Sequence, residues 1–302
     1  MGADGHRECM WAGLIIEHMP TVRHPLMSTL VAQVEFDLAT RIFSLCQRGK
    51  TEPRGYGHVF ALVQLLQASI EPAQLQKLEA AYTLAVAQAF LVDDVSDIQV
   101  DTGQAVLLPT LKSLEIRFLL DAVPAKQHRA ATDLVIRGSA RQLDALDHEK
   151  RSWEAVLQSS RYVPTDTEHI LGRSSVPLTY LDIVAIASGT RDVNSARLVI
   201  EEFLHLVQYC DDLSDWEDDL ANGRITPVLA HRISRMDLAK YDEQQVHAAL
   251  LREFYLDNGM EFELKFIIME FRNFEARLSS QMPHAAIFFS YESYQKLEPS
   301  RR

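Results

Sequence analysis

Two runs of aspartate carry the chemistry this sequence can offer. The first, Ala89-Phe90-Leu91-Val92-Asp93-Asp94-Val95-Ser96-Asp97, has the spacing DDxxD at the end of an apolar stretch. The second, Gln208-Tyr209-Cys210-Asp211-Asp212-Leu213-Ser214-Asp215-Trp216-Glu217-Asp218-Asp219, opens with the same spacing. It puts acid at six of the nine positions from Asp211 to Asp219. On a helix, residues three and four apart share a face, so Asp97 neighbours both Asp93 and Asp94. The four-residue steps Asp211, Asp215 and Asp219 stack three carboxylates along one side, and leave Glu217 and Asp218 to point elsewhere into solvent. Like charges at this spacing repel by roughly a few tenths of a kcal/mol per pair. Acid at a helix C-terminus also opposes the macrodipole. A hard divalent cation offsets both, and three carboxylates in a row suit one octahedral Mg2+ that keeps waters for a phosphate. A single DDxxD at a helix end is commonly just a solvated charge run. Two of them, each directly after an apolar helical run and separated by enough chain for several helices, point to a paired site.

Other signatures fail on inspection. Gly49-Lys50-Thr51 resembles the end of a phosphate loop, but Ser44 stands where the earlier glycine is required. Gly55-Tyr56-Gly57 begins a dinucleotide fingerprint that ends at Phe60 and follows no strand. The chain has no His-Glu-x-x-His, no Gly-x-Ser-x-Gly and no EF-hand loop, and its eleven histidines lack ligand spacing. His205, within an apolar helix, reads as a hydrogen-bonded core residue. Cys9, Cys46 and Cys210 are widely spaced without a C-x-x-C, which fits a reducing compartment better than a disulfide scaffold.

The elements that must hold these acids are helical. Leu30 to Cys46 keeps a three-to-four residue apolar beat, broken by Gly49, Pro53, Gly55 and Gly57. Val59 to Leu66 resumes it, and Pro72 opens a helix that continues without Gly or Pro from Leu75 to Asp97. Pro109, Pro124, Pro164 and Pro177 punctuate the later segments. A second long helix is expected from an Asn194 N-cap to Leu220, stopped by Asn222-Gly223. Two more are expected near Glu243–Leu256 and Met260–Leu278. No hairpin pattern, repeat or long polar linker interrupts the chain. The 302 residues therefore read as one all-α domain, a single-domain bundle of about ten helices, with the termini (about 1–20 and 296–302) expected to be loose. At 47% hydrophobic there is ample core material, and a net charge of −12 disfavours nucleic acid or an anionic membrane as the main partner. No run of eighteen apolar residues and no leader pattern is present, so stable membrane insertion is not expected and a cytoplasmic location is.

With both acidic motifs in view, the sequence resembles the class I isoprenoid synthases, the all-α superfamily of trans-prenyl diphosphate synthases and class I terpene cyclases. The helix pattern is similar over roughly residues 40 to 290. The resemblance implies that two aspartate-rich helices face each other across a deep apolar pocket and hold three Mg2+ that grip a substrate diphosphate. Asp93, Asp94 and Asp97 match the first motif. Gln208 with Asp211, Asp212 and Asp215 matches the second as the prenyl synthases write it, and Asp211, Asp215 and Asp219 fit the cyclase metal triad in all-aspartate form. Leu220-Ala221-Asn222-Gly223-Arg224 is similar to the helix end that follows that triad. Gly172-Arg173-Ser174-Ser175 sits where the family places its diphosphate-binding cation, so Arg173, then Arg224, are the implied diphosphate ligands, with Gln208 either touching diphosphate or satisfying a buried amide.

The same resemblance separates two activities. A prenyl diphosphate synthase needs a second basic site for isopentenyl diphosphate. Lys50 and Arg54 resemble half of one, but the paired arginines expected soon after the first motif are missing, the next being Arg117. A chain that binds one diphosphate is favoured: a Mg2+-dependent terpene cyclase that ionises an allylic prenyl diphosphate and folds the cation in a dry pocket. The alternatives are the trans-prenyl diphosphate synthase and a catalytically silent homologue serving as a subunit or binding protein. Pocket positions one turn before the acids are Val86, Ala89 and Phe90 on one helix and Leu204 and Val207 on the other, with Phe90 placed for cation–π stabilisation. Dimers are typical of the resembled family, so a homodimer is an expectation that the residues themselves do not test.

Overall fold

The computed structural model describes residues 58–96, 107–159, 171–233, 236 and 243–286. Among them are ten α-helices, one 3-10 turn and no strand, which makes the described chain all-α as expected. The helices are α1 (His58–Leu65), α2 (Pro72–Ser96), α3 (Leu107–Ala122), α4 (His128–Ser159), α5 (Ser175–Ser188), α6 (Asn194–Ala221), α7 (Pro227–Ile233), α8 (Glu243–Tyr255), α9 (Gly259–Gln281) and α10 (Pro283–Ala286). None is long and apolar enough to cross a membrane.

The punctuation follows backbone chemistry. Pro72 is the first helical residue of α2, where its missing N–H costs nothing, and Glu71 supplies the first accepting carbonyl, to Leu75 at 2.9 Å. At the start of α6 the expected cap is displaced. Asn194 is the first helical residue, and the carboxylate of Asp192 accepts its N–H at 3.1 Å. At the other end Gly223 takes φ +68°, a left-handed value that only glycine adopts without strain. Its N–H reaches Leu220 O at 3.1 Å while Arg224 N–H reaches Asp219 O at 2.9 Å, closing the helix where Asn222-Gly223 predicts.

Two compact units are formed. Described residues up to Ala140, Ser175–Ile200 and those from Arg277 make one; Arg141 to Ser174 and Glu201–Ala276 make the other. In the first, α2 packs along α3, and α1 packs on α2, α5 and α10. Leu78, Leu84, Leu111, Leu119, Leu181 and Ile183 are buried there, each contributing about 1.5–3 kcal/mol of hydrophobic stabilisation. Gly138 lets α4 touch α5: a Cβ at that position would overlap the Thr179 side chain, and Ser175 Oγ donates to the Gly138 carbonyl at 2.9 Å. Two carboxylates, Glu79 and Glu115, are buried in this unit. Glu115, 1% exposed, accepts from Gln88 Nε2 (2.9 Å), Lys112 Nζ (2.7 Å) and Tyr180 Oη (3.2 Å). Burial, then the charge of Glu115, pushes the Tyr180 hydroxyl far above its ordinary range, so it stays a donor.

The second unit is built on the C-terminal half of α6. Leu213, Trp216 and Leu220 pack with Val228, Leu229 and Ile233 of α7 and Leu250 and Phe254 of α8. Trp216 stacks on Phe254 with ring centroids 4.2 Å apart. Of the two acids expected in solvent, Asp218 is exposed, but Glu217 accepts the Tyr255 hydroxyl and so is tied to α8.

Candidate functional site

The second acidic motif lies on α6 inside the second unit, and its acids are not a uniform solvated strip. Asp211 and Asp215 are half-buried, whereas Asp212 and Asp219 are buried. Helical spacing explains the split: Asp212 and Asp219 border the face of Leu213, Trp216 and Leu220 that packs into the core, whereas Asp215 and then Asp211 lie further round, toward the exposed Asp218. Ser214 is exposed, and its Oγ turns back to the Cys210 carbonyl at 3.0 Å, so it belongs to the helix backbone and not to the acidic face.

A cation is delivered to that face from outside the helix. Gly172 allows its backbone to approach α4 so closely that a Cβ would lie 2.8 Å from Ala145 Cβ and 2.9 Å from the Arg141 carbonyl. The following residue, Arg173, with only 11% of its side chain exposed, places Nη1 3.0 Å from Asp212 Oδ1. Gln208 completes the arrangement. Its Nε2 donates to Asp212 Oδ1 at 3.0 Å and to Asp211 Oδ2 at 3.2 Å, while its Oε1 accepts from Ser174 Oγ at 3.1 Å. Both amide hydrogens are therefore held by the motif. Further along α6, Arg224 Nη1 lies 3.9 Å from Asp219 Oδ1, both side chains being buried.

Asp212 is the electrostatic centre of the cluster. Oδ1 takes two donors, but Oδ2 is buried and meets no hydrogen-bond donor among the described residues. Burial raises its carboxyl pKa to about 6, with Arg173 and Gln208 acting in the opposite direction. The cost of burying its charge therefore outweighs the stabilisation that its arginine and glutamine partners supply.

The residues fit a hard divalent cation in kind: the donors are carboxylate oxygens, and Asp212 Oδ2 is an acceptor without a donor. They do not form a ready cage. Among the described residues no three His, Cys, Asp or Glu side chains are grouped to hold a metal ion.

The remaining expected positions are distributed over both units. Leu204 and Val207 are buried on α6, and Val86 and Ala89 are half-buried on α2. Asp93 and Asp94 fall within the described range of α2. The side chains of Phe90, Asp93 and Asp94 lie outside the described residues, as do Asp97, Lys50 and Arg54 altogether. His205 is half-buried rather than in the core, and burial lowers its pKa while Glu201 acts to raise it.

Sequence reasoning misses three partners. Ser174 stands in the Gly172-Arg173-Ser174-Ser175 stretch with no role that its type or spacing announces. Tyr209 lies within the motif itself, yet it turns to α9, where its hydroxyl donates to Glu263 and its ring meets Phe266 at 5.8 Å. Glu263 gives no local signal, being one of several acids on an amphipathic helix. Burial, then the Glu263 bond, holds the Tyr209 hydroxyl far above its ordinary pKa, so it remains protonated and donating. Comparison with known protein families finds no family model that matches this chain, and comparison with curated proteins finds no significant match.

Proposed function

We propose that the chain is a Mg2+-dependent class I terpene synthase that ionises an allylic prenyl diphosphate and cyclises or rearranges the resulting cation in an apolar pocket. The observation that carries this reading is the meeting of Arg173 and Gln208 on the Asp212 carboxylate, which joins the cation expected for diphosphate to the acidic motif expected for metal. Arg173 holds a positive charge at the acidic face of α6, where a diphosphate leaving group would gain a charge-assisted bond. Asp211, Asp215 and Asp219, with Asp212 through Oδ2, would hold Mg2+ on that helix, and Asp93, Asp94 and Asp97 of the first motif would do so as well. When bound, Mg2+ supplies Lewis-acid neutralisation of the leaving group.

Gln208 acts here as an organiser. By donating to Asp211 and Asp212 together it ties one oxygen of each carboxylate to a single nitrogen. Arg224 near Asp219 offsets charge at the far end of the same face. Leu204 and Val207, one to two turns before the acids, would present an apolar wall that excludes water from the cation, a role the reading extends to Val86, Ala89 and Phe90.

The test is product analysis. Purified protein is incubated with Mg2+ and geranyl, farnesyl or geranylgeranyl diphosphate, with and without isopentenyl diphosphate. Hydrocarbon or alcohol formed from one allylic diphosphate alone supports the cyclase. Longer diphosphates formed only when isopentenyl diphosphate is added would overturn it in favour of chain elongation, with Lys50 and Arg54 as ligands.

A further inference from the structure

We infer that Glu263 is a positioning residue for the second aspartate motif, acting through Tyr209; this rests on the reading that the motif binds a divalent cation. Glu263 is fully buried on α9. Its Oε2 accepts the Tyr209 hydroxyl from α6, and its Oε1 lies 2.5 Å from Arg232 Nη2 and 3.2 Å from His231 Nδ1, both on α7. Arg232 extends the brace, with Nη1 2.7 Å from Glu253 Oε1 on α8 and Nη2 3.0 Å from the Gly259 carbonyl. The guanidinium lies over the Phe254 and Phe262 rings, 5.6 and 5.4 Å from their centroids. One carboxylate thus links α6, α7 and α9, and through Arg232 also α8.

Helix geometry carries the brace to the site. Tyr209 directly follows Gln208 and stands two residues before Asp211, and successive residues are about 100° apart around the axis. Tyr209 is directed to α9, while Gln208 and Asp212 are directed to Ser174 and Arg173. The Tyr209–Glu263 bond is therefore a polar stop on the roll of α6 at the level of the acids. A roll of about 10° would displace a carboxylate by about 1 Å, enough to matter for a geometry-dependent site.

The experiment is a direct titration of Mn2+ in place of Mg2+, followed by the electron paramagnetic resonance of the free ion, alongside thermal unfolding of the same samples. The variants are Tyr209→Phe, Glu263→Asp as a second probe should Tyr209→Phe not fold, Asp211→Asn as a site control, and Leu250→Ala as a control that weakens the same unit's core. The brace predicts about tenfold weaker Mn2+ binding in Tyr209→Phe, within the range for outer-shell partners of metal sites. It also predicts wild-type affinity in Leu250→Ala in spite of its lower melting temperature. Unchanged affinity in Tyr209→Phe, or a loss matched by Leu250→Ala, overturns the positioning role while leaving the metal reading intact. No Mn2+ binding by the wild type, or binding that Asp211→Asn leaves untouched, overturns the metal reading and the brace with it.

Discussion

Glu115 and Asp212 are both buried carboxylates beside a cation, and they are finished differently. Glu115 has donors on both oxygens: Gln88 and Lys112 on Oε2, Tyr180 on Oε1. Asp212 has both of its donors on Oδ1, and Oδ2 meets none among the described residues. The first arrangement is what a helical core needs to tolerate a charge. The second leaves one acceptor in low dielectric uncompensated, at a cost the first arrangement avoids.

Removing the acceptor of the saturated cluster should have the largest effect on stability. Glu115→Ala leaves Lys112, Gln88 and the Tyr180 hydroxyl without their shared partner, and should cost about 3–5 kcal/mol in chemical denaturation. Loss of only about 1 kcal/mol would mean that Glu115 is not the hub of its unit. Arg173→Met should come next, at about 2–4 kcal/mol at neutral pH, because it strands the Asp212 charge. That loss should shrink as the pH is lowered through 6 and Asp212 takes up a proton.

Asp212→Asn should be milder, within about 1.5 kcal/mol of wild type at neutral pH, since it removes the charge that burial opposes while keeping an acceptor for Arg173. It should also change the pH profile. With its folded pKa raised to about 6, above the ordinary 3.8, Asp212 adds stability that is fully present below about pH 4 and is lost as the pH rises through 6. The asparagine variant should lack that fall between pH 4 and 6, and a profile identical to wild type would contradict the assignment. The smallest effect is expected from His205. Its lowered pKa means that it favours stability above pH 6.5 and loses that contribution as the pH falls, so His205→Gln should flatten a shallow slope just below pH 6.5.

The helices themselves are largely legible in the sequence. Pro72 and the Gly/Pro-free run after it set α2, and Asn222-Gly223 set the end of α6, because both signals act on the local backbone. Asn194 has the residue type of a cap, yet Asp192 does that work; two capping residues two positions apart cannot be ranked from sequence alone. The helix α4 runs through Gly138, a local weakness that close packing against Thr179 overrides. In the candidate site, Arg173 is legible through its place in a recognisable stretch, and its partner Asp212 through the DDxxD spacing. Glu263 and Tyr255 are not, since nothing periodic marks a residue on one helix as the partner of Tyr209 or Glu217 on another. Long-range polar pairing is fixed by tertiary packing, and local pattern carries no trace of it.

The proposed diphosphate site is tested most sharply by the Mg2+-dependent release of inorganic diphosphate from geranyl, farnesyl and geranylgeranyl diphosphate, comparing wild type with Arg173→Met at a temperature where both are folded. The expected result is release from at least one of the three by the wild type, dependent on Mg2+, and about 100-fold slower release by Arg173→Met, as for loss of one preorganised charge-stabilising group. Equal release by the two proteins, release without Mg2+, or no release from any of the three by the wild type would contradict the proposed function.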